Sequence, residues 1–342
     1  MNRYNEDNKP AILSALISSN NAIWARFRKY PLTINMRLAT VAHALENGHC
    51  ITAEEQLQIN YASLLLDVSH NRHSEACQIL LDENEDVKIV GLPSVPYFTN
   101  KQQDLAVSWL YPNQCLDPLA TILCSSNDSV DRWNSIAQAL NPNDSVDLLS
   151  RDSFEEVDDE QGRIKRMLNS HILNSFKKNG VPDHTLTLKV GDVCLITRAI
   201  NGLSIATNSR VRVTSIHAHI VEIITLMESP QRIIRIPRIC FKFRMPYGQS
   251  YQLTRMQFPL RLAYAMTFNK SQSQTLQKVL VDITSPPFSH GQLYVALSRV
   301  RDCRQIRFYA SDDQLTHCTD NPARMMPAIT NIVYQEVLQL NN

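Results

Sequence analysis

The sequence predicts an α/β fold that carries an inserted small β-barrel. Apolar runs of strand length, at 120–124, 260–267 and 278–283, alternate with stretches whose apolar residues recur at helical spacing. Residues 185–239 instead hold five short segments of period two, separated by turns, and this spacing is typical of a small closed sheet. A chain of 342 residues has room for two domains.

Composition excludes several classes of protein. The hydrophobic content of 44 % is that of an ordinary globular chain, and no apolar run approaches the length of a membrane span. Residues 1–9 are polar and do not resemble a secretory signal. Eight cysteines are scattered without a C-x-x-C pair, which favours reduced thiols over disulfides or zinc ligands. We therefore expect an intracellular protein of a reducing compartment, nuclear if its source is eukaryotic, with no membrane partner and no metal ligands.

Charge is distributed unevenly along the chain, although the net charge is only +1. Residues 46–160 hold 5 Lys and Arg against 21 Asp and Glu, whereas residues 161–270 hold 17 against 4. The basic block is the candidate nucleic-acid face. Alternatively, its basic residues only form the solvated face of β-strands.

The stretch from 260 to 301 organises the rest of the chain. It begins with a predicted buried strand at 260–267, followed by a polar loop at 269–275. Short hydrogen-bonding side chains surround Lys270 in this loop, and such a composition suits contact with a phosphate or a nucleic-acid backbone. Residues 278–283 form a second predicted strand.

A predicted helix closes this stretch. Ser289 and Gln292 form an S-x-x-Q capping box, which places the helix start there. Arg299 lies on a different helix face from the apolar residues, so its guanidinium either reaches a ligand at the sheet edge or is an ordinary surface group. The residues expected to face inward are Leu293, Ala296, Leu297 and Val300.

Three elements precede this stretch. Thr52 and Glu55 form a capping box at the start of a predicted helix. Residues 79–83 imitate the magnesium-binding Walker B strand of a nucleotide hydrolase, but we reject that role because no phosphate-binding loop lies upstream. Residues 120–124 form a predicted strand, and the helix after it begins near Asn127, whose side chain is either the helix N-cap or a ligand contact.

The middle of the chain changes character twice. Trp133 recurs at helical spacing and is expected in the core. Residues 141–162 are acidic and predict a solvated linker, and residues 163–178 predict a basic helix. After the barrel, residues 305–310 predict a strand and residues 331–340 a terminal helix. The arginines of the barrel either follow phosphates or solubilise its exterior: Arg210, Arg212, Arg232, Arg235 and Arg238.

Short motifs in this chain resemble those of a known family. TFNKSQSQT resembles motif V, and HGQLYVALSRVR resembles motif VI, of the Pif/RecD-like DNA helicases of superfamily one, most closely the helicase of Helitron-type transposons. LTINMRL, at 32–38, resembles motif IV. The resemblance implies a RecA-like second motor domain with an inserted Src-homology-like β-barrel, and movement from 5′ to 3′ on DNA.

The family's site residues correspond to positions of this chain by motif. The resemblance implies that two arginines act as arginine fingers on the γ-phosphate of ATP. The implied nucleotide contacts are Arg37, Gln272, Ser273 and Arg299. The implied contacts with single-stranded DNA are Asn127, Thr267, Asn269, Lys270 and Ser271.

A phosphate-binding loop is missing from the sequence, because none of its eight glycines begins or ends the pattern G-x-x-x-x-G-K-[ST]. ATP and Mg²⁺ are therefore expected only with a missing first motor domain, a P-loop-containing half supplied in cis or in trans. Two alternatives remain open. The chain is either a stand-alone module that binds single-stranded DNA without turnover, or a decayed transposon fragment.

The domain boundaries follow from these segments. Residues 1–30 are predicted to be a remnant that links from the absent first motor domain. Residues 31–145 are the first part of the RecA-like second motor domain, and residues 251–342 are its second part. Residues 146–250 hold the acidic linker, the basic helix and the barrel.

Overall fold

The computed structural model describes residues 9, 26, 28, 51–156, 174–178, 180–200, 202–226, 228, 230–244, 251–272 and 274–339. The predicted motif IV segment with Arg37 lies outside the described residues, as does Ser273. Most of the predicted basic helix at 163–178 lies outside them as well.

The described chain contains five α-helices and nineteen strands and divides into two compact units. Its helices are α1 (Ala53–His70), α2 (Gln103–Leu110), α3 (Asn127–Ala139), α4 (Gln292–Leu297) and α5 (Gln335–Gln339). Its strands are β1 (Gln78–Asp82), β2 (Val87–Gly91), β3 (Tyr97–Thr99), β4 (Ala120–Cys124), β5 (Ser145–Leu149), β6 (Arg151–Glu156), β7 (Thr185–Lys189), β8 (Val193–Ile196), β9 (Arg210–Ile216), β10 (Ile220–Thr225), β11 (Ile233–Pro237), β12 (Ile239–Arg244), β13 (Tyr251–Gln257), β14 (Leu260–Leu262), β15 (Ala265–Thr267), β16 (Lys278–Asp282), β17 (Ile306–Ala310), β18 (Leu315–His317) and β19 (Met325–Ile332). The first unit comprises Met1–Cys115, Leu119–Asp131 and Met266–Asn342, and the second comprises Leu116–Pro118 and Arg132–Ala265.

A five-stranded sheet in the order β15-β4-β16-β17-β3 forms the centre of the first unit. Strands β4, β16, β17 and β3 run parallel, with Thr121 opposite Val279. All residues of β4 are buried, as expected for a parallel strand that is covered on both faces. The predicted α/β class is confirmed, and so are the strands predicted at 120–124, 278–283 and 305–310.

A second sheet of the first unit is antiparallel, in the order β1-β2-β19-β18. The segment that imitates a Walker B strand is β1, which lies at the edge of this sheet and pairs antiparallel with β2. The terminal helix predicted from residue 331 is wrong at its start, because Asn331 belongs to β19 and α5 begins at Gln335. The Asn331 side-chain amide donates to the carbonyl of Val68 at 2.7 Å, which ties β19 to α1.

Helix α1 begins at the predicted capping box. The Thr52 hydroxyl accepts from the Glu55 backbone N–H at 3.2 Å, and the Glu55 carboxylate accepts from the Thr52 backbone N–H at 2.8 Å. The Tyr61 hydroxyl donates to the carbonyl of Leu297 at 2.6 Å, so α1 supports the end of α4. The buried residues of α1 are Tyr61, Leu64, Leu65 and Val68.

The second unit is built from three antiparallel sheets, in the orders β11-β10-β9-β8-β14, β12-β13-β6 and β5-β7. The five-stranded and two-stranded sheets share one apolar core, to which Leu148, Leu188, Val213 and Ile223 belong. Trp133 is fully buried in this unit, so its predicted place in a core is confirmed.

The strand predicted at 185–190 is confirmed as β7, which pairs with β5 rather than with the five-stranded sheet. The prediction for the segment before it is wrong. The solvated linker predicted at 141–162 contains the strands β5 and β6. Val146 and Leu148 alternate there with polar residues, and Leu148 is only 4 % exposed. The acidic composition therefore concealed a strand pattern.

The single strand predicted at 260–267 is two strands. β14 pairs with β8 in the second unit, whereas β15 belongs to the parallel sheet. Ala263 and Tyr264, between them, are also buried, so the apolar run gave no sign of the break. Asn134 fixes the start of β15, since its side chain accepts from the Ala265 N–H at 2.8 Å and donates to the Leu262 carbonyl at 3.3 Å.

The buried carboxylate of Asp192 accepts hydrogen bonds from separate parts of the second unit. Gln138 Nε2 donates at 2.6 Å and Asn141 Nδ2 at 2.8 Å, both where the chain enters the unit. The backbone N–H of Lys189 donates at 2.8 Å, and the hydroxyl of Tyr264 donates at 2.9 Å where the chain leaves. Burial, and next to it the charge of Asp192, raise the pKa of the Tyr264 phenol well above its ordinary value, so Tyr264 stays a donor.

The described part of the chain has two further general features. None of its helices combines the length and apolar character that a bilayer crossing requires. Its cysteines are free thiols, and four of them are buried: Cys77, Cys124, Cys194 and Cys318.

Substitution of Asp192 by Asn should destabilise the protein strongly. The new amide would turn its own N–H groups toward buried donors, and leaving such donors unsatisfied lowers the free energy of unfolding by about 3 kcal/mol or more. Asp147→Asn is the matched control, because Asp147 is exposed and accepts one bond from Thr187 at 2.6 Å. Its effect should stay within about 0.5 kcal/mol. Urea titrations of both variants measure the difference, and equal midpoints would contradict the role given to Asp192.

Candidate functional site

The loop that follows β15 presents polar side chains on an apolar anchor. We call residues 267–275 the motif V loop. It starts with a short 3₁₀ helix, Phe268–Ser271, in which Phe268 is fully buried. Asn269 and Gln272 are exposed, while Thr267 and Lys270 are half-buried. The anchor thus holds these predicted contact residues in one short segment at the surface of the first unit.

Ser271 differs from its neighbours in this loop. Its side chain is fully buried, and its hydroxyl donates to the carbonyl of Phe268 at 2.7 Å. In this structure the Ser271 side chain closes the 3₁₀ turn and shapes the loop. Its contact with DNA stays a prediction.

The guanidinium of Arg299 is bonded to the motif V loop. Its Nη1 donates to the carbonyls of Ser271 at 3.1 Å and Gln274 at 3.2 Å. Its Nε donates to the carbonyl of Val295 at 2.8 Å, and its Nη2 to the hydroxyl of Ser298 at 2.7 Å. Arg299 is therefore not an ordinary surface arginine, and the structure brings it together with the predicted loop residues.

Helix α4 delivers Arg299 to the loop. The helix begins at Gln292, three residues later than predicted, after Gly291 in a left-handed conformation with φ of 69°. Part of the predicted capping box is present, because Gln292 Oε1 accepts from the backbone N–H groups of Phe288 at 2.9 Å and Ser289 at 3.3 Å. The residues predicted to face inward are all buried: Leu293, Ala296, Leu297 and Val300.

Asn127 lies directly after the carboxyl end of β4, the edge at which open α/β sheets bind ligands. The N-cap of α3 is its neighbour Ser126, whose hydroxyl accepts from the Ser129 backbone N–H at 3.2 Å. The N-cap role considered for Asn127 is therefore wrong, and contact with DNA stays its predicted role. At the same edge the Ser125 hydroxyl donates to the carbonyl of Ser285 at 2.8 Å and joins the turns after β4 and β16.

Several arginines of the second unit bind the protein itself. Arg210 is 2 % exposed and donates to the carbonyl of Ala263 at 2.8 Å, so its predicted place on the exterior is wrong. Arg238 donates to the carbonyl of Leu149 at 2.6 Å and stacks over Phe258. Burial lowers the pKa of the Arg238 guanidinium.

Two exposed arginines of this unit are ion-paired. Arg232 pairs with Glu228 at 2.6 Å, and Arg235 pairs with Glu222 at 2.8 Å. The basic excess of this part of the sequence therefore overstates the charge that is available to a nucleic acid.

Sequence reasoning missed the partners of Arg299. The carbonyls of Ser271 and Gln274 belong to the motif V loop, whereas Ser298 follows α4. Strand β16 and α4 lie between them in the chain. Because most of these acceptors are backbone carbonyls, which every residue carries, no residue pattern distinguishes them. Only the serine next to Arg299, in the pair Ser298–Arg299, offered a signal.

Comparisons with known proteins place these features in a family context. No protein-family model matches the chain. The ATP-dependent DNA helicase Pif1 of Campylobacter jejuni is 46 % identical over 55 residues, which are 16 % of this chain and 12 % of that protein. The human ATP-dependent DNA helicase PIF1 is 42 % identical over 66 residues, which are 19 % of this chain and 10 % of that protein. The matched stretches thus span only about a tenth of these relatives.

The fold itself has a solved counterpart. The crystal structure of the Pif1 helicase from Candida albicans superposes with a TM-score of 0.51 at 17 % identity, covering 86 % of this chain and 59 % of that one. The chain therefore has the mixed α/β fold found in that helicase. Together with the sequence matches, this confirms the predicted resemblance to the carboxyl-terminal part of a Pif1-like DNA helicase of superfamily one. The closer resemblance to the Helitron helicase stays a prediction.

Ser126 and Asn127 can be separated by mutation. Ser126→Ala removes the N-cap of α3 and should lower the free energy of unfolding by about 1 kcal/mol. Asn127→Ala keeps that cap, and should weaken binding of single-stranded DNA if Asn127 contacts the strand. Thermal unfolding and fluorescence anisotropy with a labelled oligonucleotide measure the two effects. Unchanged DNA affinity in Asn127→Ala would contradict the predicted contact.

Proposed function

We propose that the chain is the second motor half of a Pif1-like, ATP-dependent DNA helicase. In this proposal the first unit is a RecA-like domain, and the second unit is an inserted, Src-homology-like β-barrel. The observation that carries the proposal is the direct bonding of Arg299, from motif VI, to the motif V loop. When a loop that contacts DNA is bonded to an arginine that contacts a phosphate, nucleotide hydrolysis can act directly on the DNA contact.

The DNA side of the proposal rests on the exposed residues of the motif V loop. Amide side chains such as those of Asn269 and Gln272, together with the cation of Lys270, suit hydrogen bonding to sugars and phosphates. Thr267 and Asn127 are the further proposed contacts. Such contacts position a strand without reading its bases, as a motor that moves along any sequence requires.

The nucleotide side needs residues that this sequence does not supply. A triphosphate and its Mg²⁺ are held by a P-loop, and the sequence has none. Bound ATP supplies the phosphoryl group. The proposed role of this chain is to place positive charge beside that group. A guanidinium suits that task because its planar donors match phosphate oxygens. Arg299 and Arg37 are the proposed arginine fingers, with Gln272 and Ser273 as further contacts.

The proposed partner is a P-loop-containing first motor domain, joined in cis or supplied in trans. Movement from 5′ to 3′ is part of the proposal through the resemblance alone. A stand-alone module that binds single-stranded DNA without turnover is the second candidate, because the exposed polar residues of the motif V loop can contact a strand without a nucleotide. If the chain is a decayed transposon fragment, we expect neither DNA binding nor ATP hydrolysis.

The DNA contact can be tested on the chain alone. Each phosphate neutralised on a single strand adds about −0.7 to the slope of log affinity against log salt, so Lys270→Ala should make that slope shallower by about 0.7. Lys101→Ala is the matched control, since the Lys101 side chain is 81 % exposed and pairs with Asp312 at 2.5 Å. Anisotropy titrations at several salt concentrations give the slopes. Binding that is absent at low salt would exclude both the motor half and the stand-alone module.

ATP hydrolysis separates those two candidates. The chain mixed with the first motor domain of a Pif1-like helicase should show DNA-stimulated hydrolysis, and Arg299→Ala should reduce it by roughly a thousandfold or more. Arg301→Ala is the control, because Arg301 is exposed and lies two residues away. DNA binding without hydrolysis in the mixture would favour the stand-alone module. Hydrolysis that survives Arg299→Ala would contradict the assignment of Arg299.

A further inference from the structure

The guanidinium of Arg299 donates its hydrogen bonds to acceptors within the protein in this structure. A guanidinium carries five N–H groups in a fixed plane. Both hydrogens of Nη1 serve carbonyls of the motif V loop, those of Ser271 and Gln274, which are three residues apart. Nε and Nη2 serve Val295 and Ser298 at the end of α4. One side chain thus connects the middle of the loop to the helix.

The bonds within the loop are local and short in span. The Gln274 N–H donates to the Ser271 carbonyl at 3.1 Å, and the Gln274 side-chain amide donates to the Lys270 carbonyl at 3.3 Å. Local turns of this kind fix a loop's shape but not its place on the domain. Just after the loop, the Leu276 N–H makes a long-range bond, donating to the backbone carbonyl of Arg299 at 3.0 Å. The long-range bonds from Arg299, together with the buried anchor Phe268, supply that place.

We infer that Arg299 is the positioning residue of the motif V loop and sets its DNA-binding conformation before any nucleotide is present. The inference rests on the proposed function, because DNA contact by the loop is part of that proposal. It adds that Arg299 governs DNA affinity without touching DNA. The exposed residues Asn269 and Gln272 keep their positions because Arg299 binds the nearby carbonyls of Ser271 and Gln274.

The same geometry limits how Arg299 can bind a phosphate. Two-point contact with a phosphate uses one edge of the guanidinium, either Nη1 with Nη2 or Nε with Nη2. The first edge contains a hydrogen that now serves the loop, and the second contains the hydrogen that serves Val295. Phosphate contact of this kind therefore removes at least one of the bonds described here.

Two variants of Arg299 and one control test the inference on the chain alone. Arg299→Ala removes the guanidinium, and Arg299→Lys keeps the charge but cannot reach several carbonyls in one plane. Hydrogen exchange in peptides that span residues 272–277 should speed up about tenfold in both variants, because the loop is released locally. Exchange in β16 is the internal reference for intact folding. Arg301→Ala should leave both regions unchanged.

DNA binding then distinguishes positioning from direct contact. Both Arg299 variants should weaken single-stranded DNA binding about tenfold, through lost preorganisation, with the salt slope unchanged. A slope that becomes shallower by about 0.7, or full rescue by Arg299→Lys, would mean that the cation itself meets a phosphate and would overturn the inference. Unchanged exchange in the loop would overturn it as well. If Arg299→Ala does not fold, Arg299→Lys carries the comparison. Failure of the unmodified chain to bind DNA refutes the proposed function, whereas the exchange experiment still decides whether Arg299 holds the loop.

Discussion

The second unit depends on the burial of one carboxylate. Asp192 accepts hydrogen bonds from Gln138 and Asn141 at the end of α3, from the Lys189 N–H at the end of β7, and from the Tyr264 hydroxyl just before β15. A buried charge is costly unless it is fully hydrogen-bonded, so these segments can separate only at a large energetic cost. Asn134 adds a second connection by bonding the backbone on both sides of residues 263 and 264. The first and last segments of the second unit are thereby bonded to one another.

The first unit uses a similar principle at its proposed site. A charged side chain, Arg299, is satisfied by backbone carbonyls rather than by a carboxylate. Carbonyls neutralise none of its charge, so the guanidinium keeps its attraction for an anion while it holds the loop. A carboxylate partner would have cancelled that attraction. This choice of acceptors is compatible with the proposed contact between Arg299 and a phosphate.

The distribution of charge in the sequence is a poor guide to the nucleic-acid surface. The basic block at 161–270 contains Arg255, which is buried and bonded to Asp152 at 2.7 Å, and Arg210, which is bonded to a carbonyl. These arginines stabilise the second unit from inside. The proposed DNA contacts are Asn127 and residues of the motif V loop, which begins at the very end of this block and holds a single lysine. Backbone contact by a motor depends on placed hydrogen-bond donors and acceptors more than on net charge.

The sequence by itself determined the strands of the parallel sheet, the capped helix α1, the buried face of α4 and the family motifs. Each of these features depends only on local periodicity or on a short run of residues. It did not determine that the apolar run at 260–267 is two strands, that β5 pairs with β7, or that Ser271 is buried while Asn269 is not. Those outcomes depend on partners far away in the chain, such as Asn134 for Ala265. The contact of Arg299 with the motif V loop belongs to the same group. Backbone carbonyls are common to every residue, so only the tertiary structure could decide which of them an arginine meets.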